Sequence, residues 1–324
     1  MTSVVDSFAA QPMSVEPDAG PGSPAQRKIQ GRSPWRLAWE RLRRDKLAMA
    51  SLAVIVLLVL FAVGAPVVAA VTGHPVDEQY RDTGLTEDGV PVGPNSTFWL
   101  GTDNLGRDLL VRIAYGARVS LFIGIFATLL ALIIGTVIGV ISGYFGGAVD
   151  GFISRVMDVV LGFPFLVTAI ALVAIFQPSI KITIAVILFF MWAPVARIVR
   201  GQVLSLREKE FIEAARSIGS ADLRVMFVDV VPNLIGPLIV YGTLLIPQVI
   251  VLEATLSFLG LGDPGQASWG GILAEVQNGS LYTTAWWMLV FPALALLITT
   301  LAFNLLGDGL RDAFDPGSDR TLAK

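Results

Sequence analysis

Six apolar runs, each about long enough to cross a lipid bilayer as a helix, leave this chain few choices of fold. They cover residues 47–71, 119–142, 156–176, 182–200, 234–256 and 286–306. At about 1.5 Å per residue, a helix crosses the ~30 Å hydrocarbon layer in roughly 20 residues. Inside lipid, every backbone N–H and C=O must also find its partner within the chain. These constraints predict an all-α integral membrane protein with six transmembrane helices and the lipid bilayer as its surroundings. Composition agrees: 54% of the 324 residues are apolar and only 15% are charged, against about a quarter charged in soluble domains.

The segments around the runs divide the chain further. Residues 1–34 are rich in Ser, Pro, Gly, Ala and Asp with no apolar period, and are expected to be a disordered tail. The first apolar run is too long for the core of a signal peptide and is expected to stay as an anchor. Just before it, Trp35, Trp39 and Leu42 recur at i, i+4 and i+7, while Arg36, Arg43, Arg44 and Lys46 fall largely elsewhere. That pattern suits either a short helix lying at the headgroups or a charged flank to the first span. With the N-terminus inside, 18 of the 23 Lys and Arg lie on the inner side, and the loop from Thr72 to Asp108 carries seven acids. Both termini are therefore expected in the cytoplasm. The divisions are a tail over 1–34, an interfacial helix with the first span and an outer loop over 35–116, a helical domain over 117–310, and a C-terminal tail over 311–324.

Glycine recurs at 135, 139, 143, 147 and 151. Gly135 and Gly139 are expected to let another helix approach closely, whereas Gly143 to Gly147 reads as a cytoplasmic turn. Pro164, Pro194, Pro247 and Pro292 fall within the runs, where each removes a backbone bond and favours kinks.

Several chemistries are excluded. The absence of cysteine removes disulfides, thiolate zinc sites, iron–sulfur clusters and a cysteine nucleophile. The single histidine, His74, lies between Gly73 and Pro75, reads as an ordinary loop residue, and makes no metal site alone. No G-x-x-x-x-G-K-[ST] loop occurs, and all five lysines follow a residue other than glycine, so ATP hydrolysis would have to come from a partner. Nothing suggests catalytic residues, a bound cofactor or a nucleic-acid surface. The spans hold few acids of the kind that ion-coupled carriers need. Asp158 is expected to pair with Arg155, three residues away. Glu253, at the outer end of the fifth run, either snorkels to the headgroups or lines the mouth of a pathway.

Between Arg200 and Asn233 the apolar runs stop, and the chain shows helical period with mixed charge. A helical hairpin is predicted at about 204–232. Phe211, Ala215 and Ile218 share one face of its first helix, Gly219 ends that helix as a cap, Ser220 or Asp222 starts the second, and Pro232 marks the entry to the fifth span. A solvated connecting loop is the plainer alternative. Glu213-Ala214-Ala215, with Gly219 and Pro232 at their spacings, resembles the cytoplasmic "EAA" motif of ABC-importer permeases, although Asp229 and Val231 stand where the general pattern has Ile and Leu.

Three further stretches resemble one subfamily, the C-type permease subunits of dipeptide, oligopeptide and nickel importers. They are Gly101-Thr102-Asp103-Asn104-Leu105-Gly106-Arg107-Asp108, then Glu253-Ala254-Thr255-Leu256-Ser257-Phe258-Leu259-Gly260-Leu261-Gly262 with Ser268-Trp269-Gly270, and Ala302-Phe303-Asn304-Leu305-Leu306-Gly307-Asp308-Gly309-Leu310-Arg311-Asp312. Physical readings stand beside the resemblance. Thr102 or Asp103 can cap the following helix and Gly106 permits a turn. Trp269 either anchors at the outer headgroups or faces a docked protein, and Asp308, Arg311 and Asp312 form a polar helix end.

The resemblance implies a type I ABC transporter transmembrane domain in a prokaryotic cell membrane, with the hairpin as its coupling helix. It also implies a heterodimer with a second permease subunit, two cytoplasmic ATPase subunits carrying ATP and Mg, and an extracytoplasmic substrate-binding protein. Short peptides are the implied substrate, with nickel chelates, glutathione or another peptide-like solute as alternatives. Phe211, Glu213, Ala214, Ala215, Gly219 and Pro232 would carry the ATPase contact, and Glu253 and Trp269 the outer mouth. A different class, an ATP-independent carrier or channel, would need a buried ion site and no ATPase.

Overall fold

A computed structural model describes residues 34–277 and 281–315. The N-terminal tail, Pro34 apart, and most of the C-terminal tail lie outside the described residues. The described chain is helical apart from its loops and two isolated bridges, Leu85 with Pro91 and Thr102 with Asp108. Among the described residues, five helices are long and apolar enough to cross a membrane, and a sixth crossing arises if one bent pair is a single span.

The described chain opens with α1 (Pro34–Leu42), packed on the end of the last described helix. The first apolar run is divided by Gly64 into α2 (Lys46–Val63) and α3 (Ala65–Thr72), with Pro66 in the first turn of α3, where its missing N–H costs nothing. Asp45 caps α2 by accepting from the amides of Leu47 (2.9 Å) and Ala48 (3.2 Å). After a loop bearing α4 (Arg81–Gly84), α5 (Leu109–Phe145) runs for 37 residues. It begins ten residues before the expected span, because Arg112 and Arg118 interrupt the apolar run without interrupting the helix. Its cap is Asp108, which accepts from Leu110 N–H at 2.9 Å and Val111 N–H at 3.3 Å. The expected caps, Thr102 and Asp103, are buried and differently engaged.

The third run is a broken span. α6 (Gly147–Gly162) and α7 (Phe165–Phe176) meet at 83°. Pro164 disfavours helical backbone in the preceding residue, and Phe163 is extended (φ −74°, ψ 132°). α8 (Ile180–Leu206) follows, then α9 (Glu210–Ser217) and α10 (Asp222–Arg224). A π turn over Val225–Val230 leads without a break into α11 (Val231–Phe258). The hairpin's second arm is therefore the start of the fifth span, and Pro232 does not end it. In the π turn, Val231 N–H bonds back to Met226 O, five residues away; this wider turn precedes a residue with no N–H to give and a ring that crowds the preceding turn. α12 (Trp269–Glu275), α13 (Leu281–Thr284) and α14 (Trp286–Phe314) complete the described chain.

α5 is the central element, packed along α8 and also against α11 and α2, while α14 packs on α11 and α2. The α5–α8 contact is built from two rows with a period of four. Gly135, Gly139 and Gly143 face Val195, Val199 and Val203, so closely that a Cβ at Gly139 would lie 2.6 Å from Ala196 O and 2.7 Å from Val199 Cβ. Gly143, expected in a turn, belongs to this row. The chain turns at Gly146 and Gly147, whose φ values are 66° and 52°. Nothing lies within 4 Å of a Cβ at Gly147 or Gly151. Leu57, Leu60, Val63, Leu297 and Leu301 stand exposed on outer faces of the spans, as they would against lipid.

Candidate functional site

The predicted hairpin projects from one end of the bundle. α9 is held to that bundle by Ile212, which is fully buried in the apolar cluster shared by α5, α8, α11 and the π turn, and α9 packs against that π turn. Its neighbours Phe211, Glu213 and Ala214 are exposed, Ala215 is half-buried, and Ile218 is 83% exposed. The apolar face expected from Phe211, Ala215 and Ile218 is thus mostly the outward one, and the residue that seats the helix is Ile212. Gly219 ends α9 as expected. It has φ 80°, its N–H donates to Arg216 O (2.9 Å), and Ser220 N–H reaches back to Ala215 O (3.1 Å), the paired bonds of a Schellman turn. Pro232 lies apart from this group, on α11.

Polar contacts missed from sequence fix the hairpin's orientation. Arg216 lies over the Tyr144 ring, 4.6 Å from its centroid, and the Tyr144 hydroxyl donates to Asp222 Oδ1 (2.8 Å). The end of α5 thereby touches both arms. Nearby, Asp150 in the first turn of α6 accepts from Ser142 Oγ (2.6 Å) and from Arg200 Nη2 (2.6 Å), with a second bond from Arg200 Nε. Arg207 Nη1 donates to Gly143 O (3.2 Å). Asp158 pairs with Arg197 of α8 at 2.6 Å, not with Arg155, because helix packing brings α8 within reach.

At the opposite end, Glu253 and Trp269 do not form a surface mouth. Trp269 is fully buried, and its indole N–H donates to Ile113 O (3.1 Å). Glu253 is 1% exposed and accepts from Ser120 Oγ (2.8 Å) and Ser257 Oγ (2.7 Å). Neither can snorkel, since α5, α11 and α12 close over them. Above Glu253 lies a polar cavity of about 510 Å³ bordered by Asp77, Arg107, Arg112, Asp263, Gln266 and Glu275; Ser257 and Ser268 line both it and the small space around Glu253.

A four-residue ion cluster supports this end. Arg112 is bound to Asp103 and, at 2.5 and 2.8 Å, to both oxygens of Glu275. Arg107 pairs with Asp103 (2.6 Å) and Glu275 (3.1 Å). Two cations and two anions compensate each other, as buried charge requires, and they join the Gly101–Asp108 stretch to α12. His74 is likewise more than a loop residue. It is buried, its Nδ1 lies 2.6 Å from Asp108 Oδ2, and its ring stacks on Phe98 with centroids 4.8 Å apart.

Residues 135–320 match the family model of the binding-protein-dependent transport system inner membrane component, and residues 33–86 match the N-terminal TM domain of oligopeptide transport permease C. The chain is 43% identical over 290 residues to the oligopeptide transport system permease protein OppC of Escherichia coli (strain K12), covering 89% of this chain and 93% of that one. It is 40% identical over 280 residues to the dipeptide transport system permease protein DppC of Bacillus subtilis (strain 168), covering 86% and 84%. In fold it resembles a chain of the inward-facing MetNI methionine ABC transporter, with a TM-score of 0.54 at 15% identity, over 62% of this chain and 96% of that one. The all-helical bundle is thus a type I ABC transporter transmembrane domain and a multi-pass membrane protein. With the family model matching more than half of its length and two relatives above 30% identity, the chain belongs to the binding-protein-dependent transport system inner membrane components, among their C-type permeases.

Proposed function

We propose that this chain forms half of the translocation pathway of an ATP-driven importer of short peptides. It works as a heterodimer with a second permease subunit, on two cytoplasmic ATPase subunits that hold ATP and Mg, and receives substrate from an extracytoplasmic binding protein. The chain itself carries no catalytic residue and no cofactor. The observation that carries this reading is α9: a short helix seated by Ile212 yet presenting Phe211, Glu213 and Ile218 outward. Apolar side chains exposed beyond the apolar spans mark a protein contact, and the EAA-like sequence lies there. The distribution of Lys and Arg supports placing this end, with both termini, in the cytoplasm.

Closure of the ATPases would push on α9. The push would pass through Ile212 and the Tyr144 bridge into α5, α8 and α11, so that packed helices tilt as rigid bodies. Peptides are favoured as substrate by the names of the relatives above. Nickel chelates, glutathione or another peptide-like solute could use the same scaffold.

The test is to tag the chain, solubilise the native membrane in mild detergent and identify stoichiometric companions by mass spectrometry. A second six-helix permease, P-loop ATPases and a peptide-binding protein are expected. Recovery of the chain alone, still mediating flux after reconstitution, would overturn the reading in favour of an ATP-independent carrier or channel.

A further inference from the structure

The junction of α1 and α2 carries more positive charge than the described residues neutralise. Arg36 pairs with Glu40 at 3.0 Å, and Arg41 reaches the carbonyl oxygens of Ala313 and Asp315. Arg43, Arg44 and Lys46 are exposed and make no ion pair with any described residue. The one acid between them, Asp45, turns away to cap α2. Beside these cations, Trp35 and Trp39 are about half exposed and Leu47 is 66% exposed, and the Arg43 guanidinium lies 5.9 Å from the Trp39 ring centroid. Leu47 opens the first apolar span, so the three cations sit at the edge of the hydrocarbon layer, at headgroup depth.

We propose that this junction is a binding site for the headgroup of an anionic phospholipid in the cytoplasmic leaflet. The phosphate is held by Arg43, Arg44 and Lys46, and the glycerol and upper acyl chains lie against Trp35, Trp39 and Leu47. Charge complementarity selects the lipid, because unpaired cations at a membrane surface attract anionic headgroups about fivefold per residue. The aromatic rings fix the depth. The site also has a mechanical setting. Trp35 packs edge-on against Phe314 (5.5 Å) at the end of α14, and a Cβ at Gly236, near the start of α11, would lie 3.3 Å from the same Phe314 ring. A lipid held here braces the end of the bundle that carries the hairpin.

The proposal rests on the membrane orientation above and is independent of the transported solute. The complex, purified with its companions, is placed in nanodiscs of phosphatidylcholine and phosphatidylglycerol in equal parts, and retained lipid is identified by native mass spectrometry. The unmodified chain should retain phosphatidylglycerol preferentially. The triple variant Arg43→Gln, Arg44→Gln, Lys46→Gln should lose that preference by up to about a hundredfold, and raised salt should weaken it in the unmodified chain. Equal retention by unmodified and triple-variant chains, or a preference insensitive to salt, overturns the site. The readout needs neither ATP nor peptide, so its failure leaves the importer reading standing, and absence of ATPase partners leaves the lipid result standing.

Discussion

Gly219 turns the chain with φ 80°, and nothing lies within 4 Å of where its side chain would begin. A larger residue there meets backbone strain of roughly 1–2 kcal/mol and no clash. Gly219→Val should therefore insert and assemble, while ATP hydrolysis continues and uptake of labelled peptide falls; full uptake would sink the turn's role in coupling. Glu253 calls for a different comparison. Glu253→Leu leaves the buried hydroxyls of Ser120 and Ser257 without their acceptor, a loss of about 1–3 kcal/mol for each unsatisfied group. Glu253→Gln keeps an oxygen in place. The Leu variant should lower the melting temperature of the purified complex clearly more than the Gln variant, and equal losses would rule out the serine bonds as the cause. At this scale sequence reads unevenly. Gly219 is legible because a cap has a spacing and a residue type. Ile212 and the burial of Trp269 are not, because three charged residues around Ile212 obscure its face and a tryptophan near an expected interface fits both surface and core.

Among the elements, glycines of one period do different work. Gly139 sits against Val199 and the Ala196 carbonyl, whereas Gly151 faces open space. Gly139→Leu should overpack the α5–α8 contact by about 1–3 kcal/mol or more, lowering recovery of monodisperse complex on size exclusion, and Gly151→Leu should not. Equal recovery would remove the glycine row from the fold's requirements. The long spans are legible because lipid demands length and apolarity together. Two features escape that logic. Pro164 breaks the third run at 83°, since composition alone does not say whether a proline kinks, caps or divides a helix. The start of α5 is hidden because Arg112 looks like a loop residue until Asp103 and Glu275 are brought beside it by the fold.

For the molecule as a whole, α1, the hairpin and the end of α14 share one end of the bundle, and the ion cluster with the polar cavity lies at the other. The chain has no cysteine, so single cysteines report orientation without background. Asp88→Cys should react with a membrane-impermeant maleimide on intact cells, and Ser205→Cys only after permeabilisation; the reverse pattern would invert the topology. The segregation of Lys and Arg is the sequence feature that predicts this orientation. The inward burial of Glu253 is not, because a carboxylate near a span end has several acceptable fates until its neighbours are known.

The absence of a break between the hairpin and the fifth span has a consequence for how a signal would travel. From Asp222 to Phe258 the chain is one rod of 37 residues, about 55 Å at 1.5 Å per residue. One tip stands beside Tyr144 and the other holds Glu253 beneath the polar cavity. Such a rod is a lever that needs no relay of intermediate contacts: a few degrees imposed at one tip become ångströms at the other. Pro237 and Pro247 are the only prolines within α11 beyond its first turn, the natural places for that lever to flex.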